Sequence, residues 1–149
     1  MIRLSRKMQL ALEAVVDVAY NARPDPVQSK EITRRQGVSQ RYLEQVMQEL
    51  VRAGILKGVR GPKGGYRLAR ERRRISVGDI VRVVAALESS EDSDQESQSA
   101  LAQKVIRPAL REATESFLTR LDAITIEVLC DRAGVSDVGS APRTQDFAI

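Results

Sequence analysis

Met8, Ala11, Leu12, Val15, Val18 and Ala19 recur at helical spacing near the start of the chain. That pattern predicts a first helix from about Ser5 to Ala22, and the polar stretch RPDP at 23–26 stops it. Ser29 is placed to cap a short second helix, KEITRRQ, which ends at Gly37. Ser39 opens a third, QRYLEQVMQELVRA, closed by Gly54. On this third helix Tyr42, Leu43, Val46, Met47, Leu50 and Val51 form the apolar stripe, and Gln40, Arg41, Glu44, Gln45, Gln48 and Arg52 face outward. Two helices joined by a short glycine-containing turn make a helix-turn-helix, whose second helix can enter a major groove. The same spacing also suits a helix pair that only packs a core.

Beyond Gly54 the period changes. ILKGV and GYRLA read as two short strands with RGPKG at the tip between them, a basic hairpin directly after the helix pair. A fourth helix opens at Ser76 with Asp79 three residues later, and carries Val77, Ile80, Val81, Val84 and Leu87 on one face. Residues 88–99, ESSEDSDQESQS, hold five acids, five serines and nothing apolar, which predicts an acidic flexible loop. Helical spacing returns from about Ala100, with Pro108 at a first turn or a kink. Leu110, Phe117 and Ile124 then recur every seven residues, with Thr114, Leu121 and Val128 offset by four. This resembles a coiled-coil seam and predicts a dimer helix with a short helix after it, over residues 100–133. Residues 134–149 read as an irregular tail. The expected architecture is mainly α with a small β-hairpin wing: a winged helix-turn-helix domain over 1–87 and a long C-terminal dimerisation helix.

Charge sharpens this division. Residues 1–87 contain 18 Lys/Arg against 8 Asp/Glu, and residues 88–149 contain 6 against 12. A surface for polyanions is therefore expected in the first part alone. The chain has no histidine and one cysteine, Cys130. Histidine-based acid–base catalysis, histidine-containing zinc sites and Cys–His dyads are excluded, and no other motif points to an enzyme. A single cysteine makes no internal disulfide and suits a reducing cytoplasm. The first residues are charged and helically periodic, unlike a signal peptide, and no apolar run is long enough to span a bilayer.

A basic hairpin after a helix-turn-helix would lie against phosphates or reach into a minor groove. In this reading the wing glycines remove side chains for close approach, and Arg60, Lys63 and Arg67 neutralise phosphate. The candidate DNA contacts are Lys30, Ser39, Gln40, Arg41, Tyr42, Glu44 and Gln45 from the helix pair, with Arg60, Gly61, Lys63, Gly64 and Arg67 from the wing. Glu44 can accept from cytosine N4, and Arg60 suits guanine or a narrow minor groove. Glu44 could instead partner Gln48 or Gln40, and Arg60 could be a solvated loop charge. The glycines at 58, 61 and 64 fit neither G-x-G-x-x-G nor the Walker pattern, so a nucleotide-binding loop is set aside. A second class of reading is a winged-helix module that binds protein rather than DNA, its acidic segment occupying the basic face.

LSRKMQLALEAVVDVA, ITRRQGVSQRYLEQVMQELVRAGIL, VRGPKGGYRLA, ISVGDIVRVV, ITIEVL and the tail APRTQD together resemble the Rrf-two family of bacterial winged-helix repressors. The resemblance covers almost the whole chain apart from residues 88–107. It implies a homodimer that binds a pseudo-palindromic operator in double-stranded DNA and regulates transcription, as a repressor or at times an activator, of iron–sulfur or iron metabolism genes. It also implies that Glu44 and Arg60 read bases, while Arg41 stands where cluster-sensing members have serine, which bears on the preferred site. The dimer interface would involve Leu110, Phe117, Leu121, Ile124 and Val128. Those members carry three cysteines and a histidine between the fourth helix and the dimer helix. Here Lys104 and Arg107 stand where the last cysteine and the histidine would be, and ammonium and guanidinium groups are poor metal ligands. No cofactor is therefore expected from the usual ligand set. Cys130 leaves three readings: a buried small residue, one of two thiolates holding an iron–sulfur cluster across a dimer with oxygen ligands, or a site of reversible oxidation.

Overall fold

The computed structural model describes residues 3–91 and 96–135. Helix α1 (Arg6–Asn21) starts where the Ser5 hydroxyl accepts from the Met8 N–H at 3.1 Å. Its buried face is Leu10, Ala11, Ala14, Val15, Val18 and Ala19, with Met8 and Leu12 half-buried beside it. Helix α2 (Ser29–Gln36) begins one residue earlier than expected. The Glu31 carboxylate accepts from the Gln28 N–H, so Gln28 takes the cap position and Ser29 is the first helical residue. Gly37 ends α2 in the left-handed conformation, and Ser39 caps α3 (Gln40–Arg52) through the Tyr42 N–H. Leu43, Val46, Met47 and Leu50 are fully covered, whereas Val51 of the expected stripe is exposed.

A carboxylate is buried beside this core. Asp17 lies on the apolar face of α1 and is 2% exposed. Its carboxylate accepts two hydrogen bonds from Arg35 (2.6 and 2.8 Å), one from Gln36 (3.1 Å) and one from Asn21 (3.1 Å), and so braces α1 against α2. The hydrogen bond to Asp17 raises the Arg35 guanidinium above its ordinary value, with burial opposing it.

Strands β1 (Leu56–Val59) and β2 (Gly65–Leu68) pair antiparallel, Leu56 opposite Leu68 and Val59 opposite Gly65. Val27 adds a bridge to the outer edge of β2 through Tyr66. The wing glycines turn out to serve this folding rather than clearance alone. Gly61 turns the tip at φ 108°, and a Cβ on Gly65 would run into the Val27 backbone that pairs with β2.

A 3₁₀ turn, Arg72–Arg74, leads into α4 (Val77–Glu91). Ser76 and Asp79 form the expected reciprocal cap, each accepting the other's N–H at 3.0 Å. The helix continues to Glu91, so residues 88–91 of the expected acidic loop are helical. Ser89 and Ser90 turn their hydroxyls back onto the Ala85 and Leu87 carbonyls. Residues 92–95 of that loop, and 136–149 of the expected tail, lie outside the described residues.

From Ala100 one helix runs through a π-helical stretch, Ala102–Ile106, into α5 (Arg107–Asp122). Pro108 has no N–H for the preceding turn. The chain meets this with a wider loop, the Arg107 N–H reaching the Ala102 carbonyl, and the helix is not broken. The break comes later and corrects the expected seam. Val77 donates to the Ile124 carbonyl and Ile126 to the Ile75 carbonyl, both at 2.8 Å. This bridge stops α5 at Asp122 and starts α6 (Ile126–Val135). Leu110, Phe117 and Leu121 share α5, Ile124 lies in the link, and Val128 is on α6. Arg82 of α4 grips Asp122 through both carboxylate oxygens, fixing the end of α5 to α4.

Candidate nucleic-acid interface

The turn Gly37–Ser39 sets α3 against α2 so that its buried side locks into α1 while Arg41, Glu44, Gln45 and Gln48 remain exposed. The N-terminal ends of α2 and α3 meet the wing in an open cleft of about 450 Å³. Lys30, Gln40, Arg60, Gly61 and Gly64 from the sequence reading all line it, joined by Gln28, Ser29 and Tyr66. Gln40 is oriented within it, donating to the Ser29 hydroxyl at 3.0 Å and to the Glu44 carboxylate at 3.1 Å. Glu44 therefore has an intrahelical partner, Gln40, while its carboxylate stays on the exposed face. Tyr66 forms the opposite wall, and burial, then the Glu44 charge, pushes its phenol above the ordinary value. Arg60 and Lys63 are exposed at the wing tip, and neither makes an ion pair among the described residues.

Three residues of the candidate set have other placements. Ser39 spends its hydroxyl on the α3 cap, and Tyr42 is half-buried against the core. Arg67 turns to the segment after α1. It donates to the carbonyl oxygens of Ala22 and Pro24 and ties β2 to the end of α1, so the geometry does not offer it for phosphate. The reason is strand alternation: Arg67 stands opposite Lys57 on the base of the hairpin, beside the outstretched segment after α1.

Lys7 and Glu91 were not singled out by sequence and border the same face. Glu91, at the end of α4, accepts from Lys7 Nζ at 3.0 Å and from the Gln45 amide at 3.3 Å. The signal that could have exposed this was the acidic run itself, had α4 been extended one further turn.

Cys130 is 2% exposed on α6 and packs with the α1 core. Burial pushes its thiol up, and the neighbouring Arg72 and Arg23 only partly offset that. No group of three or more His, Cys, Asp or Glu side chains is placed to hold a metal ion among the described residues. Lys104 is exposed, and Arg107 donates to the Ser97 carbonyl. A donor set of one buried thiol and two cations does not fit a thiolate-held cluster.

No helix among the described residues is long and apolar enough to cross a membrane. The sequence profile of the Rrf2 family, described as an iron-dependent transcriptional regulator, matches residues 4–132. The HTH-type transcriptional regulator IscR of Escherichia coli is 34% identical, with 97% of this chain and 90% of that one covered. Among solved structures, T. potens IscR is 35% identical with a TM-score of 0.71 over 94% of each chain. CymR, the global cysteine regulator of B. subtilis, is 30% identical with a TM-score of 0.65, over 89% of this chain and 98% of that one.

Proposed function

The chain belongs to the Rrf2 family of DNA-binding transcriptional regulators, and from that premise we propose that it is a homodimeric repressor that reads a pseudo-palindromic operator. Two copies of α3 related by a two-fold axis would enter successive major grooves, roughly 34–36 Å apart. Arg60 at the wing tip reads a guanine or a narrow minor groove, and Glu44 accepts from a cytosine. Lys30, Arg41 and Lys63 neutralise phosphates. Genes of iron–sulfur or iron metabolism are the proposed targets, by the iron dependence in the family's description.

The observation that carries the reading is the shared cleft. The N-terminal ends of α2 and α3 and the tip of the wing open on one side, with unpaired cations at its edge. Dimerisation through α5 is supported by Leu101, Val105, Leu110 and Phe117, which are left exposed along one continuous helix. Glu91 holds Lys7 and Gln45 from inside the chain and so competes with DNA for both. The test is titration of operator and random duplex over a salt series. Binding should weaken as salt rises, and Arg60→Ala should cost about 1–3 kcal/mol on the operator with much less on random sequence. Salt-independent binding, or an Arg60→Ala protein with unchanged operator affinity, would remove the reading.

A further inference from the structure

The run ARERRR at residues 69–74 places more positive charge than the DNA cleft uses. Strand β2 and the following 3₁₀ turn carry Arg67, Arg70 and Arg72 round to the end of α1, where Arg23 meets them. The four border a second cleft, of about 320 Å³, floored by Val18, Ala19, Ala22 and Leu68. The one carboxylate in its wall, Glu71, is bound at 2.5 Å to Arg73, which is not part of the cleft. None of the four lining arginines pairs with a carboxylate among the described residues. Arg67 is held by two carbonyls, Arg70 reaches the Arg74 carbonyl at 3.5 Å, and Arg72 neighbours the buried Cys130 thiol. The Arg23 backbone N–H donates to the Asn21 carbonyl at 2.8 Å, and its guanidinium makes no ion pair among the described residues.

Four guanidinium groups bordering one concavity repel each other, and each is a fork of donors that suits an oxyanion. The apolar floor and the volume suit a compact organic molecule rather than a broad, convex duplex. We propose that this cleft binds a small oxyanion bearing carboxylate or phosphate groups, held by Arg23, Arg70 and Arg72 with its carbon part against Ala22 and Leu68. Arg67, committed to the Ala22 and Pro24 carbonyls, fixes the wall. The site is separate from the cleft that faces DNA and stands whether or not the DNA reading does.

The test is calorimetric titration of the full chain, free of DNA, with citrate and with inorganic phosphate at constant ionic strength. One saturable site per chain is expected with at least one probe. Arg23→Gln and Arg72→Gln should each weaken it tenfold or more, the loss expected for one charge-assisted hydrogen bond. Arg52→Gln, at an exposed arginine on α3, should leave it unchanged. Circular dichroism checks the fold, and Arg23→Gln carries the test alone if Arg72→Gln unfolds. No saturable heat with either probe, or equal weakening by Arg52→Gln, overturns the proposal. So does the pattern expected of a DNA phosphate in this cleft: no anion binding, with Arg23→Gln weakening a duplex tenfold.

Discussion

Helices α3 and α5 carry apolar stripes of similar sequence spacing and meet opposite fates. On α3, Leu43, Met47 and Leu50 are wholly covered, whereas on α5 Leu110 is 60% exposed and Phe117 49%. The difference lies in the neighbours. α1, α4 and β1 close over α3, while α5 touches α4 and the π-helical stretch before it and leaves its other side bare. Periodicity states that a face wants burial. It does not state whether the same chain supplies the cover.

The two helices should therefore fail differently. The largest effect is expected at α5: Leu110→Asp with Phe117→Asp should weaken dimerisation at least a hundredfold, since a buried side chain of this size is worth about 1.5–3 kcal/mol. Sedimentation would follow it, with circular dichroism unchanged. A monomeric parent protein, or a double variant that still dimerises, breaks the comparison. Next comes the brace between α1 and α2, both of which pack against α3. Arg35→Ala leaves the buried Asp17 carboxylate without its cation and should cost about 3 kcal/mol of unfolding free energy, read by urea denaturation, with dimerisation intact. A loss below about 1 kcal/mol would mean that Asn21 and Gln36 suffice. The smallest effect is at the edge of the DNA face. Glu91→Ala frees Lys7 and Gln45 and should tighten binding to random duplex about twofold, as befits a pair exposed on the Glu91 side. Weaker binding would instead make Glu91 a support for the face.

The winged domain was legible in the sequence because its boundaries are set locally. Ser39, Gly37, Gly54 and the Ser76–Asp79 pair act within three or four residues, and each does in the structure what its type implies. Where a role depends on distant chain, the sequence was silent or misleading. Asp17 sits among alanines and valines with nothing nearby to show that Arg35 will reach it. The seven-residue repeat from Leu110 runs on to Ile124 and Val128, yet hydrogen bonds with the Ile75 carbonyl and the Val77 N–H divide it at Asp122. Arg67 read as one more wing cation, and only the folded position of Pro24 reveals its carbonyl partners. Lys30, Gln40, Arg60, Gly61 and Gly64, expected from the sequence as DNA contacts, line the cleft at the head of α3. Gln28, Ser29 and Tyr66 joined it through the bridge between Val27 and β2.

The central claim is that two copies of one cationic edge lie along a single duplex. Selection of binding sites from a random duplex pool by the full-length protein tests it most directly. Inverted half-sites about one helical turn apart should be enriched, with the positions read by Arg60 losing preference in the Arg60→Ala protein. Enrichment of isolated half-sites without fixed spacing, or no enrichment at all, would contradict it.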